Sequence, residues 1–355
     1  MPTLFDPWNV RSLTLRNRIG VSPMCMYSAT DGIPNDWHLA HLGSRAVGGA
    51  GLVIAEATGV LPEGRITLGC TGLWNEDHVE AWSRIAAFIK AQGAVAGIQL
   101  AHAGRKASTA LPKDGGASIS NAEGGWDTVG PSALAFGGSL TKVPQALDQA
   151  GIDRIVAGFA ASAQRALDAG FEWLQVHAAH GYLLHQFLSP LSNHRSDAYG
   201  GSLDKRMKLA LDVARAIRNV VPDRLPLSFR VSATDWTEGG WDLAQTIELA
   251  KRLKGLSVDV IDVSTGGNVH DAKIAVGPGY QVPFAEAIRK EAQIAVSTVG
   301  MITEPAQAAA IIESGQADQV LLARAFLRDP HWPKHAAIAL GKPDAVKYPV
   351  QYGRA

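Results

Sequence analysis

Short apolar segments alternate with longer amphipathic segments along most of the chain. The short segments are rich in β-branched residues and end at turn residues, a pattern that predicts buried strands. The clearest helical period puts apolar residues on one face over 152–167 and ends at Gly170. Eight strand segments are present, at residues 19–23, 51–57, 95–101, 172–178, 225–231, 258–264, 294–300 and 318–324.

Strand and helix segments repeat in the order β then α, which is typical of a closed (β/α)8 TIM barrel; an open doubly wound sheet is the alternative. Apolar and polar residues alternate over 4–17 well enough to predict an N-terminal β-hairpin that plugs the lower mouth of the barrel. Residues 102–150 are too long for a simple connection and predict an excursion over the active face after the third strand. Thr303 is predicted as an N-cap, with Pro305 in the first turn. Further helices are predicted at residues 78–92, 205–220, 242–254 and 328–340, and no linker divides residues 1–355 into two domains.

Charge and composition limit the class of partner. Lys plus Arg and Asp plus Glu both number 33, so the formal net charge is zero, which argues against nucleic acid or an anionic membrane. We therefore expect a small-molecule partner. The N-terminal residues do not resemble a signal peptide and no apolar run is long enough for a membrane span, so a cytoplasmic location is expected. Cys25 and Cys70 are the two cysteines and are expected to be reduced.

In such a barrel the catalytic groups lie where strands end, and several predicted strands end in polar residues. Arg230 lies inside an apolar run, so it requires either a buried carboxylate partner or a ligand that accepts its hydrogen bonds. The same two alternatives apply to Gln99, but less strongly, because an amide can also bond to the backbone. The strand-end candidates are Ser22, Met24, Cys25, Tyr27, Glu56, Ala57, Gln99, His102, His177, His180, Tyr182, Arg230, Gly300 and Arg324.

Gly300 and Arg324 end the seventh and eighth strands, after which barrels often bind phosphate. Taken alone, however, a glycine after a strand is common in turns and an arginine is common on surfaces. No Rossmann glycine motif follows a strand, and the P-loop motif is absent from the sequence. A phosphorylated ligand is therefore expected to be held in another way.

The segment HAAHGY (177–182) allows three interpretations. His177 and His180 could bind a metal together with His102, or they could be satisfied histidines of the core. Alternatively, both rings donate to one substrate oxygen that gains negative charge, with Tyr182 as a proton donor, since the segment has no carboxylate to complete a metal shell. This last interpretation predicts an enolate site.

Cys25 stands beside Pro23, Met24 and Tyr27, which favours a position facing the pocket over an inert buried thiol. Cys70 is interpreted as structural. His102, Arg105 and Lys106 open the long excursion and are expected to organise that loop.

Long segments of the chain resemble the Old Yellow Enzyme family of flavin-dependent ene-reductases, and especially its branch with a cysteine near the flavin, which includes xenobiotic reductases. The segments are SPMCMYS (22–28), EATGVLPEGRIT (56–67), GIQLAHAGRK (97–106), HAAHGYLLHQFLSPLSNHRSDAYGGS (177–202) and GPGYQVPFAEAIR (277–289). The resemblance implies a single TIM-barrel domain with non-covalent FMN, reduced by NADPH or NADH.

Residue roles follow from the resemblance. It implies that Cys25 lies near the reactive edge of the flavin and that Arg230 favours the negative charge of its reduced form. His177 and His180 would hold the substrate oxygen, with Tyr182 as the acid and Tyr27 as a further donor or wall. The implied FMN-binding residues are Ser22, Pro23, Met24, Cys25, Ala57, Gln99, Arg230, Gly300, Ala323 and Arg324.

The implied reaction is ping-pong: NAD(P)H reduces FMN, and an activated alkene then takes hydride at its β-carbon and a proton at its α-carbon. Many relatives have glycine in place of Ala323. The tail YPVQYGRA (348–355) resembles one that places an arginine in a neighbouring subunit, which predicts a dimer or tetramer and makes Arg354 a substrate-binding candidate. The alternatives are a metal-dependent barrel hydrolase using His102, His177 and His180, a non-catalytic ligand-binding barrel, and other FMN barrels that act on dihydroorotate or 2-hydroxy acids.

Overall fold

The computed structural model describes residues 2–354. Its strands are β1 (Trp8–Val10), β2 (Leu13–Leu15), β3 (Ile19–Val21), β4 (Leu52–Gly59), β5 (Val95–Ala101), β6 (Val129–Gly130), β7 (Gln145–Ala146), β8 (Trp173–Ala178), β9 (Leu227–Ser232), β10 (Val260–Ser264), β11 (Ala295–Thr298) and β12 (Gln319–Leu322). Strands β3, β4, β5, β8, β9, β10, β11 and β12 pair in that order, all parallel, and β12 pairs back with β3. The closed barrel is confirmed, and the open-sheet alternative is wrong.

Helices follow the barrel strands and cover the outside of the barrel. They are α1 (Asp36–Val47), α2 (Glu76–Ala91), α3 (Gln149–Asp168), α4 (Leu183–Leu188), α5 (Leu203–Val220), α6 (Leu243–Gly255), α7 (Val282–Ala292), α8 (Pro305–Glu313), α9 (Arg324–Arg328) and α10 (Trp332–Ala339). Several begin at a side chain that accepts a backbone N–H, as Asp148 does from Gly151 at 2.7 Å at the start of α3. No helix within residues 2–354 combines the length and the apolar character needed to cross a membrane.

Two helix predictions need correction, and proline explains both. Glu304, not Thr303, is the N-cap of α8, because a residue before proline avoids the helical conformation and Glu304 is extended with ψ of 137°. The helix predicted over residues 328–340 is interrupted in the same way at Asp329, which precedes Pro330 and has ψ of 96°. The sequence analysis also did not predict α1, α4 and α7.

The N-terminal hairpin of β1 and β2 closes the lower mouth of the barrel. Trp8, Val10 and Leu15 belong to one apolar cluster with residues at the beginnings of β4, β5, β8 and β10. The ring of Trp8 lies 6.0 Å from that of Trp173, at the start of β8. This cluster extends upward through the barrel to Leu321 in β12.

The long excursion lies between β5 and α3 and contains the short parallel pair of β6 and β7. Arg105 at its start donates to the carbonyl oxygen of Asn268, which follows β10, at 2.8 Å. Lys106 donates to the carbonyl oxygen of His180, which follows β8, at 2.8 Å. These bonds hold the excursion over the carboxyl ends of the strands, as predicted.

Candidate active site

A chain of polar side chains crosses the interior of the barrel in its upper half. Gln99 of β5 donates to Gln175 of β8 at 2.7 Å, and Gln175 donates to Asp262 of β10 at 3.1 Å. The same carboxylate lies 3.4 Å from Nε of Arg230 in β9, and Nη1 of Arg230 donates to the hydroxyl of Ser22 at 3.0 Å. Four strands and the segment after β3 thus bring these side chains together.

Arg230 has the buried carboxylate partner of the first alternative that its sequence position left open, and the second alternative, a ligand, stays a prediction. Asp262 is the buried carboxylate of the first alternative; burial raises the pKa of this carboxyl, and the positive charge of Arg230 opposes that rise. At the same time, Nη2 of Arg230 has no hydrogen-bond partner among residues 2–354 and remains available to a ligand. The ion pair therefore orients Arg230 without using all of its donors.

The orientation of the Gln99 amide follows from the same chain. Gln175 must direct its amide nitrogen at the Asp262 carboxylate, so its oxygen faces Gln99 and accepts from Nε2 of Gln99. The oxygen of Gln99 accepts no hydrogen bond within the described residues 2–354. Sequence reasoning did not single out Gln175 and Asp262, although each is a polar residue inside an apolar run, the same signal that identified Gln99 and Arg230.

A cavity of about 360 Å³ opens beside this chain and is lined by Arg230, Gly300, Ala323 and Arg324, among others. Gly300 has φ of +121°, and a Cβ there would lie 2.7 Å from Nε2 of Gln281, so glycine is required. Ala323 has φ of −111°, so this position lies outside the left-handed region that favours glycine.

These features fit FMN on their own geometry. The cavity offers exposed arginine and a glycine backbone at one end, which suits a phosphate. Toward the barrel axis, Gln99 offers a free carbonyl oxygen and Arg230 a free guanidinium nitrogen, which suit the donor and acceptor atoms of a flavin pyrimidine edge.

The segment HAAHGY leaves the end of β8 and brings its two imidazoles together. Nε2 of His177 lies 3.3 Å from Nδ1 of His180, with the rings nearly perpendicular at 87°. His180 has φ of +58°, a conformation that few non-glycine residues adopt, and its N–H donates to the Ser232 hydroxyl at 2.9 Å. The next N–H, that of Gly181, donates to His185 at 2.9 Å, so the turn is fixed by its surroundings.

His185 is itself held by a buried carboxylate. Nε2 of His185 lies 3.0 Å from Asp235, and both side chains are fully buried. Asp235 also accepts from the Ser189 hydroxyl at 2.5 Å and from the Trp241 N–H at 2.9 Å. The His185–Asp235 pair therefore supports the turn that carries His177 and His180. The sequence analysis did not identify this pair.

Tyr182 and Lys106 complete the surroundings of the pair. The ring of Tyr182 lies 4.9 Å from that of His177. The ammonium of Lys106 lies 5.1 Å from the Tyr182 ring and donates to the carbonyl oxygens of His180 and Gly267 at 2.8 and 2.9 Å. Lys106 thus organises the loop, as expected, but it does so directly behind the histidine pair.

Burial governs the protonation of this group of side chains. It lowers the pKa of His177 and of His180 well below the usual range, and the positive charge of Arg230 lowers both further, so both rings are neutral. Burial raises the pKa of Tyr182, which keeps its proton. Burial lowers the pKa of Lys106 to about 8, and nearby Arg105 contributes.

The segment after β3 carries Cys25 and Tyr27 toward β4, where Glu56 is the extra residue of a bulge between Ala55 and Ala57. Burial raises the pKa of the Cys25 thiol, and the Glu56 carboxylate adds to the rise, while the Ala57 N–H and the Tyr27 hydroxyl oppose it. Cys25 is therefore a thiol, not a thiolate. Pro23 and Met24 are partly exposed beside it.

His102 does not join the other two histidines. Gly64 packs against its ring, its Nδ1 accepts from the Gly104 N–H at 3.1 Å, and burial lowers its pKa to about 4. Across residues 2–354, no three His, Cys, Asp or Glu side chains are grouped so that they could hold a metal ion. The hydrolase alternative that used His102, His177 and His180 is therefore not supported.

Arg354 lies in the exposed tail, in the turn that follows Val350–Tyr352. The Tyr352 ring lies 6.3 Å from that of His331, beside α10. Within its own subunit, Arg354 is thus not among the residues that line the cavity.

Comparisons with known proteins agree with the fold and identify a family. A model of the NADH:flavin oxidoreductase / NADH oxidase family matches residues 3–342. An NADPH dehydrogenase of Geobacillus sp. (strain WCH70) is 44% identical over 353 residues, covering 99% of this chain and 98% of the relative. Morphinone reductase matches with a TM-score of 0.80 at 28% identity, covering 95% of this chain and 90% of that one. An Old Yellow Enzyme homologue from Zymomonas mobilis matches with a TM-score of 0.79 at 28% identity, covering 98% and 95%.

Proposed function

The chain belongs to the NADH:flavin oxidoreductase / NADH oxidase family, the Old Yellow Enzyme family of FMN-dependent NAD(P)H oxidoreductases, and we propose that it reduces the C=C bond of α,β-unsaturated carbonyl compounds. One observation carries the proposal: two neutral imidazoles meet at 3.3 Å at the end of β8, where His177 is paired in register with Arg230 of β9. Two neighbouring imidazoles suit a carbonyl oxygen that becomes negative during reduction when each presents an N–H to it.

FMN, when bound, supplies hydride transfer from NADPH or NADH to the alkene. The residues proposed to hold its ring are Ser22, Pro23, Met24, Cys25, Ala57, Gln99 and Arg230. Those proposed to hold its phosphate are Gly300, Ala323 and Arg324, the first by its backbone at a position where a side chain has no room. Donor and alkene share one pocket, so the kinetics are ping-pong.

The chain's own residues act on the substrate. His177 and His180 hold the carbonyl oxygen and stabilise the enolate as hydride reaches the β-carbon. Tyr182 keeps its proton because burial raises its pKa, which makes it the candidate acid for the α-carbon. Tyr27, partly exposed with φ of +53°, forms a wall or a further donor.

The test follows the visible absorbance of the purified protein under anaerobic conditions. NADPH should bleach the yellow absorbance. Cyclohexenone should then restore it faster than it returns in a reduced sample without enone. Bleaching without recovery would leave an NADPH dehydrogenase that does not use enones, and the proposal would fail.

Arg354 is proposed to reach the substrate pocket of a neighbouring subunit in a homo-oligomer, a dimer or a tetramer. Support comes from its exposed position outside its own cavity. Arg354→Ala should raise the KM for the alkene severalfold without changing the oligomeric state measured by light scattering. Arg328→Ala, an exposed arginine at the rim of the subunit's own cavity, is the comparison variant. An unchanged KM for Arg354→Ala would remove the residue from the site.

A further inference from the structure

The proton of His177 can be assigned from its hydrogen bonds. The backbone N–H of Ala179 donates to Nδ1 of His177 at 3.2 Å, so Nδ1 is an acceptor. In a neutral ring the proton then lies on Nε2, which faces Nδ1 of His180 at 3.3 Å. His177 is therefore the donor of this contact, and Nδ1 of His180 is the acceptor.

The bonds on the other side of His180 are consistent with this assignment. Nε2 of Gln281 donates to the carbonyl oxygen of Val299 at 2.6 Å, which turns its Oε1 toward the hydroxyls of Thr265 at 2.8 Å and Ser264 at 3.2 Å. Ser264 has one proton, and it donates that proton to Gln281. Its oxygen therefore accepts from Nε2 of His180, which lies 2.7 Å away.

All the bonds thus run in one direction, from the Ala179 N–H through His177, His180, Ser264 and Gln281 to the Val299 carbonyl. In this arrangement His180 carries its proton on Nε2, and its Nδ1 lone pair points at His177. A ligand oxygen that entered between the two rings would meet one N–H and one lone pair. The second donor that the proposed function requires is therefore missing from the unliganded site.

We propose that Ser264 and Gln281 are positioning residues that hold the Nε2 proton of His180, so that the pair offers two donors only when His180 also carries a proton on Nδ1. This proposal rests on the proposed function of the pair. With an acidic phenol as ligand the step is balanced: the O–H bond of the phenol breaks, its proton bonds to Nδ1 of His180, and the phenolate accepts from both histidines. The Nε2–H of the imidazolium stays bonded to Ser264.

The charged groups around His180 make the proton and the anion bind together. Burial and the positive charges of Arg230 on β9 and Lys106 after β5 disfavour a second proton on His180 when no anion is present, and His177 on β8 and His185 on α4 also face it. Two buried carboxylates contact members of this group and are already paired, Asp235 with His185 at 3.0 Å and Asp262 with Arg230 at 3.4 Å. A phenolate between the rings reverses the balance, because it faces the same cations with opposite charge.

Nitrogen NMR of the FMN-loaded full chain with ¹⁵N-labelled histidine tests the assignment directly. His180→Asn identifies the His180 signals. Without ligand, His180 should have a protonated Nε2 and a bare Nδ1; with 4-hydroxybenzaldehyde, both nitrogens should be protonated. A proton on Nδ1 in the unliganded protein, or a single proton in the complex, would overturn the proposal.

Binding of 4-hydroxybenzaldehyde gives a second test, measured per bound FMN because Ser264 and Gln281 also line the cofactor cavity. Since the complex keeps the phenol's proton, affinity should fall about tenfold per pH unit above the phenol's own pKa. Ser264→Ala should weaken binding about tenfold, because a hydrogen bond to a charged group is lost, and Ser264→Thr should restore most of it. Gln281→Glu, whose carboxylate favours the imidazolium, should tighten binding below the phenol's pKa and leave the alkaline limit at that pKa.

The outcomes separate this proposal from the proposed function. If replacing both His177 and His180 leaves phenol binding unchanged, the proposed function is wrong and the role of Ser264 falls with it. If those changes abolish binding but Ser264→Ala binds as tightly as the parent at every pH, the histidine pair stands and only the positioning role is wrong.

Discussion

The two mouths of the barrel are built from the same eight strands but filled in opposite ways. At the lower mouth, Trp8, Val10 and Leu15 pack with Trp173 and its neighbours into an apolar cluster. In the upper half, inward positions of the same strands carry Gln99, Gln175, His177, Arg230 and Asp262. Two residues farther along a strand, the interior changes from packed hydrocarbon to hydrogen-bonded polar groups.

This difference separates stability from chemistry along one axis. Buried apolar area stabilises the lower mouth, whereas polar groups in the upper half lose water and regain only part of their hydrogen bonds. The upper mouth also holds His180 and Tyr27 at positive φ, a strain that surrounding bonds must offset. Substitutions at the two mouths should therefore affect different measurements.

The largest effect is expected from removing both imidazoles. The double variant His177→Ala, His180→Ala should lower the rate of enone reduction by about 10³-fold, because one oxyanion donor alone contributes about 10² to 10³. It should retain the yellow FMN and bind phenols poorly. Stopped-flow reduction of cyclohexenone measures the rate, and His335→Ala, an exposed histidine on α10, is the control. An unchanged enone rate would remove the pair from the mechanism.

The converse change is made at the lower mouth. Trp8→Ala should lower the free energy of unfolding by about 3 kcal/mol, since it leaves a cavity beside Trp173, while the kinetics of the folded enzyme stay unchanged. Trp37→Ala, at a tryptophan that is 57% exposed, should change the free energy by less than about 0.5 kcal/mol.

Urea denaturation of the holoenzyme measures both variants. A single transition is expected if residues 1–355 form one FMN-binding domain, as the sequence predicts. A loss of enone turnover in folded Trp8→Ala would show that the two mouths are coupled rather than separate.

The sequence predicted the lower and outer parts of the molecule better than the interior of the upper half. The short apolar runs of β4, β5 and β8 placed those strands within a residue or two. Pro305 and Pro330 were visible, but their effect on the preceding residue was not applied to Glu304 and Asp329. The partners of Asp262, Gln175 and Ser264 could not be predicted because they lie on other strands, and pairing across a barrel depends on register, which local periodicity does not contain.

Residues of the excursion were difficult for a related reason. Lys106 contacts His180 and Gly267, which lie 74 and 161 residues away in the chain. Nothing in the local pattern HAGRKAS distinguishes a surface lysine from one whose ammonium lies behind the histidine pair. The resemblance supplied the roles of His177 and His180, but not those of the bonds that orient them.

Asp262→Asn tests the polar chain of the upper half and is expected to have an effect of intermediate size. The Asp262 carboxylate beside Arg230 opposes added negative charge on the cofactor, so its removal should raise the midpoint potential of bound FMN by about 30 mV, or about 1.4 kcal/mol for a two-electron couple. Dye-coupled reductive titration measures the potential. Asp271→Asn, an exposed carboxylate, should leave it unchanged. A fall in potential with Asp262→Asn would contradict the proposed position of Arg230 at the flavin.

The smallest effect concerns Lys106, whose pKa burial lowers to about 8. Its ammonium is therefore present below pH 8 and is lost as the pH rises through that value, and with it the donors to the carbonyl oxygens of His180 and Gly267. The kcat/KM for cyclohexenone should fall a few-fold on the alkaline side, with an apparent pKa near 8. Lys106→Met should remove this alkaline limb and give the lower value at every pH, whereas Lys113→Met, at an exposed lysine of the same excursion, should keep the parent profile. If the alkaline limb persists in Lys106→Met, the limb belongs to another titrating group. Lys106 would then only hold the His180 turn in place, and its charge would not affect the rate.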